Sequence, residues 1–204
     1  MRAHAKLFFA SSNPGKLAEY RALASSAASS LPVELALLQE LEAFPAFEEN
    51  APTFAENATG KALHYSRQSN RLVFADDSGL VVPALGGAPG VHSARYAGPQ
   101  ATNAQRIEKL LGELRGKTRP ERAAYFVCAI ALAEGGRAMA IVTDRVNGEI
   151  LEAPRGSGGF GYDPVFYFPG LGKTFAELRA EEKNQLSHRG EAFRRLLAAL
   201  PSML

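Results

Sequence analysis

The stretch RAAYFVCAIALAEGGRAMAIVTDRVNGEI, residues 122–150, does most to limit what this chain can fold into. Two apolar runs flank Gly135-Gly136, and a pair of glycines between apolar runs marks a tight hairpin. The pattern predicts two long antiparallel strands joined at the glycines, with a further strand over 146–152. A hairpin of this kind makes the sheet mixed rather than purely parallel. Elsewhere strands and helices interleave, so the class is α/β or α+β. AKLFFAS, VELALL and RLVFADD read as strands. SNPGKLAEYRALASS reads as a turn into a helix, with Asn13 as cap, Pro14 in the first turn and Leu17, Tyr20 and Leu23 on one face. Three Thr-x-x-Glu/Gln patterns, at Thr53, Thr102 and Thr174, predict helix starts. SSAASS reads as a flexible connection.

The chain has 204 residues, enough for one large domain or for two small lobes, and 1–204 is read as a single domain. No apolar run approaches the roughly 20 residues that span a bilayer. LFFAS is too short for the apolar core of a signal peptide, so the expected location is cytoplasmic. Cys128 is the only cysteine, which excludes intrachain disulfides, and its apolar surroundings predict a buried thiol. The four histidines show no metal-ligand spacing. A net charge of +2 with mixed signs argues against a dedicated nucleic-acid surface, though it allows a local basic pocket for a polyanionic small molecule.

Four polar, glycine-bearing segments interrupt the apolar periodicity: SSNPGK at 11–16, DDSG at 76–79, GSGGFGYDP at 156–164 and EKNQLSHR at 182–189. Loops at strand ends are where α/β proteins assemble sites. SSNPGK follows a strand and opens a helix, which suits either an anion site with Lys16 or a simple capped start. It lacks the spacing of a Walker A loop. Asp76 and Asp77 close an apolar run, and period two sends them to opposite faces. One can face a site and hold Mg²⁺ or orient water while the other braces the loop; an acidic turn is the plainer alternative. Glu48 and Glu49 form a second acidic pair. Phe160 and Tyr162 beside mobile glycine backbone can sandwich a nucleobase or can be core aromatics. Lys183 could lie on a helix surface, and Ser187-His188-Arg189 could simply begin the last helix.

In order, SNPGK, TFAENA, FADDSGLVVPALGGAPGVHSARYAG, GSGGFGYDP and TFAELRAEEKNQLSHRGEAF resemble the motifs of the noncanonical purine nucleoside triphosphate pyrophosphatases, the inosine triphosphate pyrophosphatase family, and most of all its bacterial RdgB-type members. The resemblance covers residues about 7 to 200. It implies Mg²⁺-dependent hydrolysis of ITP, dITP and XTP to monophosphate and pyrophosphate. It also implies a long mixed sheet flanked by helices, two lobes around a central cleft, and a homodimer. By the same resemblance Ser11, Ser12, Asn13, Pro14, Gly15 and Lys16 form the phosphate-side loop. Asp77 is the proton acceptor and a magnesium ligand, and Glu48 the other ligand. Ser78, Phe160, Gly161, Tyr162, Asp163, Lys183, His188 and Arg189 contact substrate. The chain departs from the family pattern in carrying Asn50-Ala51-Pro52 where many members have Thr-Gly before the Thr-Phe pair, so Glu49 stays open beside Glu48.

The resemblance also suggests a division of labour, with His188 and Arg189 donating to the C6 carbonyl of the base while Lys16 and Lys183 read phosphate. Two rivals remain: a pyrophosphatase of another modified nucleotide, and a nucleotide- or RNA-binding module without catalysis.

Overall fold

The computed structural model describes residues 5–26 and 33–204. The connection expected at SSAASS lies, beyond Ser26, outside the described residues. In chain order the regular elements are β1 (Ala5–Phe9), α1 (Pro14–Ser26), β2 (Val33–Leu37), α2 (Phe54–Ser69), β3 (Leu72–Val81), α3 (Asn103–Glu113), β4 (Ala123–Glu134), β5 (Arg137–Ile150), β6 (Phe166–Phe168), β7 (Lys173–Thr174), α4 (Ala180–Leu186) and α5 (His188–Ala199). The strands form one seven-stranded sheet in the order β2-β1-β3-β4-β5-β6-β7. β1 pairs parallel with β2 and β3, whereas β6 pairs antiparallel with β5 and β7. The sheet is mixed, as the hairpin requires.

Local chemistry explains most element boundaries. Gly135 and Gly136 have φ of 56° and 80°, the double left-handed conformation of a two-residue hairpin turn. Asn13 Oδ1 accepts from Lys16 N at 3.1 Å and opens α1, which buries Tyr20 and Leu23. Thr53 Oγ1 accepts from Glu56 N at 3.2 Å at the start of α2, and left-handed Asn70 ends it. Thr102 and Gln105 close a full capping box on α3.

Three expectations need correcting. β5 runs unbroken for 14 residues, so the strand expected at 146–152 is its last stretch. The Thr174–Glu177 box opens only a short 3₁₀ turn, because Leu178 and Arg179 are extended and the helix starts again at Ala180. Asp76 and Asp77 lie inside β3 rather than at its end, since the strand continues through Ser78 and Gly79 to Val81.

The chain divides into two compact units. One contains the chain up to Asp77, Cys128–Asp144 and Arg189–Leu204; the other contains Ser78–Val127 and Arg145–His188. The first unit has two apolar clusters. One is built on Phe9, Tyr20, Phe74, Ile130 and Phe193, the other on Ala58, Ala62, Tyr65, Val73 and Ala131. The core of the second unit gathers Leu80, Leu110, Phe126, Tyr162, Phe166 and Phe175. Among the described residues no helix is long and apolar enough to cross a membrane.

Continuation of β3 depends on Gly79. A Cβ there would strike the Ser93 hydroxyl and lie 2.7 Å from the Gly90 carbonyl oxygen. Ser93 Oγ is committed, accepting from Leu80 N at 2.9 Å and donating to Gly90 O at 2.7 Å. Overpacking of this kind costs about 1–3 kcal/mol. Gly79→Ala is therefore expected to lower the free energy of unfolding by that amount, read as a lower urea midpoint, and an unchanged midpoint would show that the backbone yields freely.

Candidate active site

In the first unit, the turn after β1 closes on itself. Asn13 N donates to Ser11 Oγ at 3.2 Å, and Asn13 Oδ1 holds Lys16 N. Ser12, Asn13 and Pro14 are exposed, while Ser11, Gly15 and Lys16 are half-buried. The Lys16 ammonium reaches Asp76 Oδ2 at 3.0 Å.

Asp76 is fully buried and also lies 3.5 Å from Arg189 Nε. Burial pushes its carboxyl upward, but Lys16, Arg189 and Lys61 outweigh burial and hold it below the usual carboxylate range. Beneath it sits Cys128, whose thiol is pushed up to about 12, first by burial and then by the Asp76 charge. The thiol is buried and stays protonated, as its apolar surroundings predict.

Asp77 behaves in the opposite way. It is 6% exposed and accepts from Asn57 Nδ2 at 3.0 Å. Burial, reinforced by Glu49 and Asp76 against Lys16 and Asn57, pushes its carboxyl up to about 6. The adjacent aspartates thus sit in different electrostatic surroundings, as the alternation of side chains along a strand predicts.

The acidic pair divides as well. Glu48 is exposed and accepts from Asn50 Nδ2 at 2.9 Å. Glu49 pairs with the Lys61 ammonium, which also donates to Asp76 O at 3.2 Å. It is Glu49 whose charge raises Asp77.

Arg189, expected to read the base, is buried with its guanidinium held by Glu19 and Asp76. Two carboxylates thus balance the charge of this buried cation, which a neutral base carbonyl alone would not do.

In the second unit, Asp163 Oδ2 accepts from Phe160 N at 2.8 Å and closes the Phe160–Asp163 turn. Gly159 has φ of 69°, and a Cβ there would meet the Asp163 carboxylate. The same carboxylate takes the buried Lys183 ammonium, which lies 4.9 Å from the centre of the Phe160 ring. Lys183 therefore belongs to the aromatic turn of this unit. Tyr162 is a core residue: its ring is buried and its hydroxyl donates to Ser93 O at 2.9 Å, so the face that could have stacked on a base is covered. Phe160 and Gly161 are half-buried, as is Ser78 on β3. The buried His188 ring stacks on Phe126, with centroids 4.9 Å apart and planes 11° from parallel.

Four polar residues of these surroundings were missed. Asn57 and Lys61 stand four apart on α2, and that spacing is a signal which could have placed them on one face. Glu19 and Arg122 carry no comparable mark. Arg122 is buried and donates to the carbonyls of Leu114, Ile150 and Leu151, a wholly structural use of a cation.

The Ham1 family profile matches residues 7–199. A dITP/XTP pyrophosphatase of Geobacillus kaustophilus is 52% identical over 191 residues, covering 94% of this chain and 92% of that protein. One from Gloeobacter violaceus is 48% identical, again over 94% of this chain and 92% of its own. Among solved structures, a HAM1 protein from Coxiella burnetii superposes with a TM-score of 0.85 at 42% identity, covering 97% of this chain and 99% of that one. Identity of this extent, with the fold matched over nearly the whole length, means that the chain belongs to the Ham1 family.

Proposed function

We propose that this chain hydrolyses dITP, XTP and ITP to the nucleoside monophosphate and pyrophosphate, removing these purines from the nucleotide pool. One observation carries the reading: the largely buried Asp77 carboxylate is fixed by the Asn57 amide at 3.0 Å, and the same amide holds the loop that carries Glu49. A carboxylate fixed in this way can orient a water and take its proton. The relatives named dITP/XTP pyrophosphatase supply the substrate class.

The donor set suits magnesium. Mg²⁺ takes one or two carboxylates and fills its shell with water and substrate phosphate, so a site of two acids is sufficient. Among the described residues no group of three or more His, Cys, Asp or Glu gathers. Asp77 and Glu49 would hold the ion; Glu48, the acid expected from the motif spacing, is turned to Asn50 instead. When bound, the ion offsets charge on the triphosphate and the leaving pyrophosphate.

The rest falls to the chain itself. Asp77 orients the attacking water and accepts its proton as the oxygen adds to the α-phosphorus. The bond to the bridging oxygen breaks, and pyrophosphate leaves. Lys16 and Lys61 supply positive charge for the phosphate oxygens, since phosphoryl transfer rests on positioning and charge stabilisation. With Arg189 committed to carboxylates, base recognition is assigned to Phe160, His188 and backbone N–H groups. Donors aimed at C6 accept hypoxanthine and xanthine but leave adenine facing an unpaired group. The proposal includes a homodimer and a cytoplasmic location, where the precursor pool is used.

The test is product analysis with Mg²⁺ across ITP, XTP, dITP, GTP, ATP and dUTP. Pyrophosphate from the first three, in clear excess over ATP and dUTP, is the expected result. Orthophosphate as primary product would refute attack at the α-phosphorus, and saturable binding without product would make the chain a binder.

A further inference from the structure

One face of α2 grips the loop that carries the two glutamates. His64 Nε2 lies 2.7 Å from Pro45 O, and Tyr65 Oη accepts from Phe47 N at 3.3 Å. The Phe47 ring lies against Gly60, where a Cβ would be 2.5 Å from it. Lys61 holds Glu49. Asn57 completes the face. Its Oδ1 accepts from Ala51 N at 2.9 Å, and its Nδ2 donates to Ala51 O at 3.3 Å and to Asp77 Oδ2 at 3.0 Å. The side chain is fully buried. Its amide can point only one way, because the reverse would set Nδ2 against the Ala51 N–H and Oδ1 against two acceptors.

We propose that Asn57 is a positioning residue that locks the acidic loop and the Asp77 carboxylate into one unit. It fixes the carboxylate's rotation and its separation from Glu49 before substrate arrives. The inference rests on the reading of Asp77 as the water-activating base. No other residue type reproduces the three bonds in this space. Aspartate keeps the acceptor for Ala51 N but loses both donor bonds. Alanine loses everything. Glutamine carries an extra methylene that the packed site does not admit.

The test compares pyrophosphate release from dITP by the full chain, Asn57→Asp, Asn57→Ala, Thr53→Ala and Asp77→Asn, with a thermal melt of each. Thr53→Ala removes the cap of the same helix, the 3.2 Å bond to Glu56 N, without touching Asp77. It controls for loss of stability. Both Asn57 variants are expected to lose kcat by on the order of 10²-fold, the effect of misplacing a reacting group by about 1 Å. KM should change by less than about threefold, because an interaction that matters only in the transition state leaves ground-state binding alone.

Thr53→Ala should keep kcat at a comparable melting temperature. Amide exchange at Ala51 gives a second readout: at least roughly tenfold faster in Asn57→Ala, which loses the acceptor, and near wild type in Asn57→Asp, which keeps it. If Asn57→Ala does not fold, Asn57→Asp decides alone. The inference is overturned if the Asn57 variants keep kcat while Asp77→Asn is inactive, or if their kcat falls only in step with Thr53→Ala and lost stability. Turnover retained by Asp77→Asn would remove the base assignment itself, and this inference with it.

Discussion

Asp77→Asn is expected to cut dITP turnover by roughly 10²–10⁴-fold, the range for loss of a general base. In metal-free buffer near pH 8 the same substitution should raise the melting temperature. The two effects share a cause. Burial, with Glu49 and Asp76, lifts the carboxyl from 3.8 to about 6, so the folded state binds the Asp77 proton more tightly than the unfolded chain does. By linkage, the stability associated with this group is greatest at low pH and is lost as pH rises through about 6. Two pK units correspond to about 3 kcal/mol at most, or roughly 6–12 °C for a chain of this size.

Asparagine cannot ionise and escapes that loss, while its carbonyl still accepts from Asn57. The gap in melting temperature between variant and wild type should therefore open between pH 4 and about 7 and stay level above that. Titrating both proteins by thermal melt, beside a turnover assay, checks the pair. Near-normal turnover would remove Asp77 as the base. A variant less stable than wild type at pH 8 would show that the charge is better compensated than its burial implies. A catalytic group held at a cost to the fold is the usual trade between stability and activity.

How much of this was legible in the sequence depends on the range of the interaction. Features made by neighbours in the chain could be read directly: the Gly135-Gly136 turn, the caps at Asn13, Thr53 and Thr102, and the opposite facing of Asp76 and Asp77. Each rests on a side chain bonding within three residues or on the fixed period of a strand. Features made by residues distant in sequence could not be read. Nothing local marks Arg189 as the partner of Glu19, 170 positions away. Tyr162 looks like a stacking ring until the second unit's core covers it and Ser93 O takes its hydroxyl. Which of Glu48 and Glu49 meets Lys61 could not be read from spacing, because that pair forms between the loop and a helix 12 residues on. The apparent end of β3 at the aspartates was misread for the same reason: Gly79 looks like a turn residue, but it is glycine because Ser93 and Gly90 press against the strand there.

Asp76→Asn should act on the fold where Asp77→Asn acts on the chemistry. The Asp76 carboxylate is fully buried, 3.0 Å from the Lys16 ammonium and 3.5 Å from Arg189 Nε. Removing one member of a buried ionic cluster leaves the other charges desolvated and uncompensated, at about 3–5 kcal/mol, whereas the intact cluster gives little net stability. Glu19 remains beside Arg189 and softens the loss, which puts the expectation at the lower end of that range. The pH dependence has the opposite sign to that of Asp77. The Asp76 carboxyl is depressed in the folded state, so its contribution is fully present above the unfolded carboxylate pKa and is lost as pH falls through the folded value. Urea unfolding of wild type and Asp76→Asn should therefore show a wide gap at pH 7 that narrows in acid. In the Asp76→Asn background, Arg189→Met should cost less than it does in wild type, since residues in one ionic network couple. A gap below about 1 kcal/mol at pH 7, or two substitutions whose costs simply add, would mean that Asp76 does not hold these cations, and the first aspartate of the pair would need another explanation.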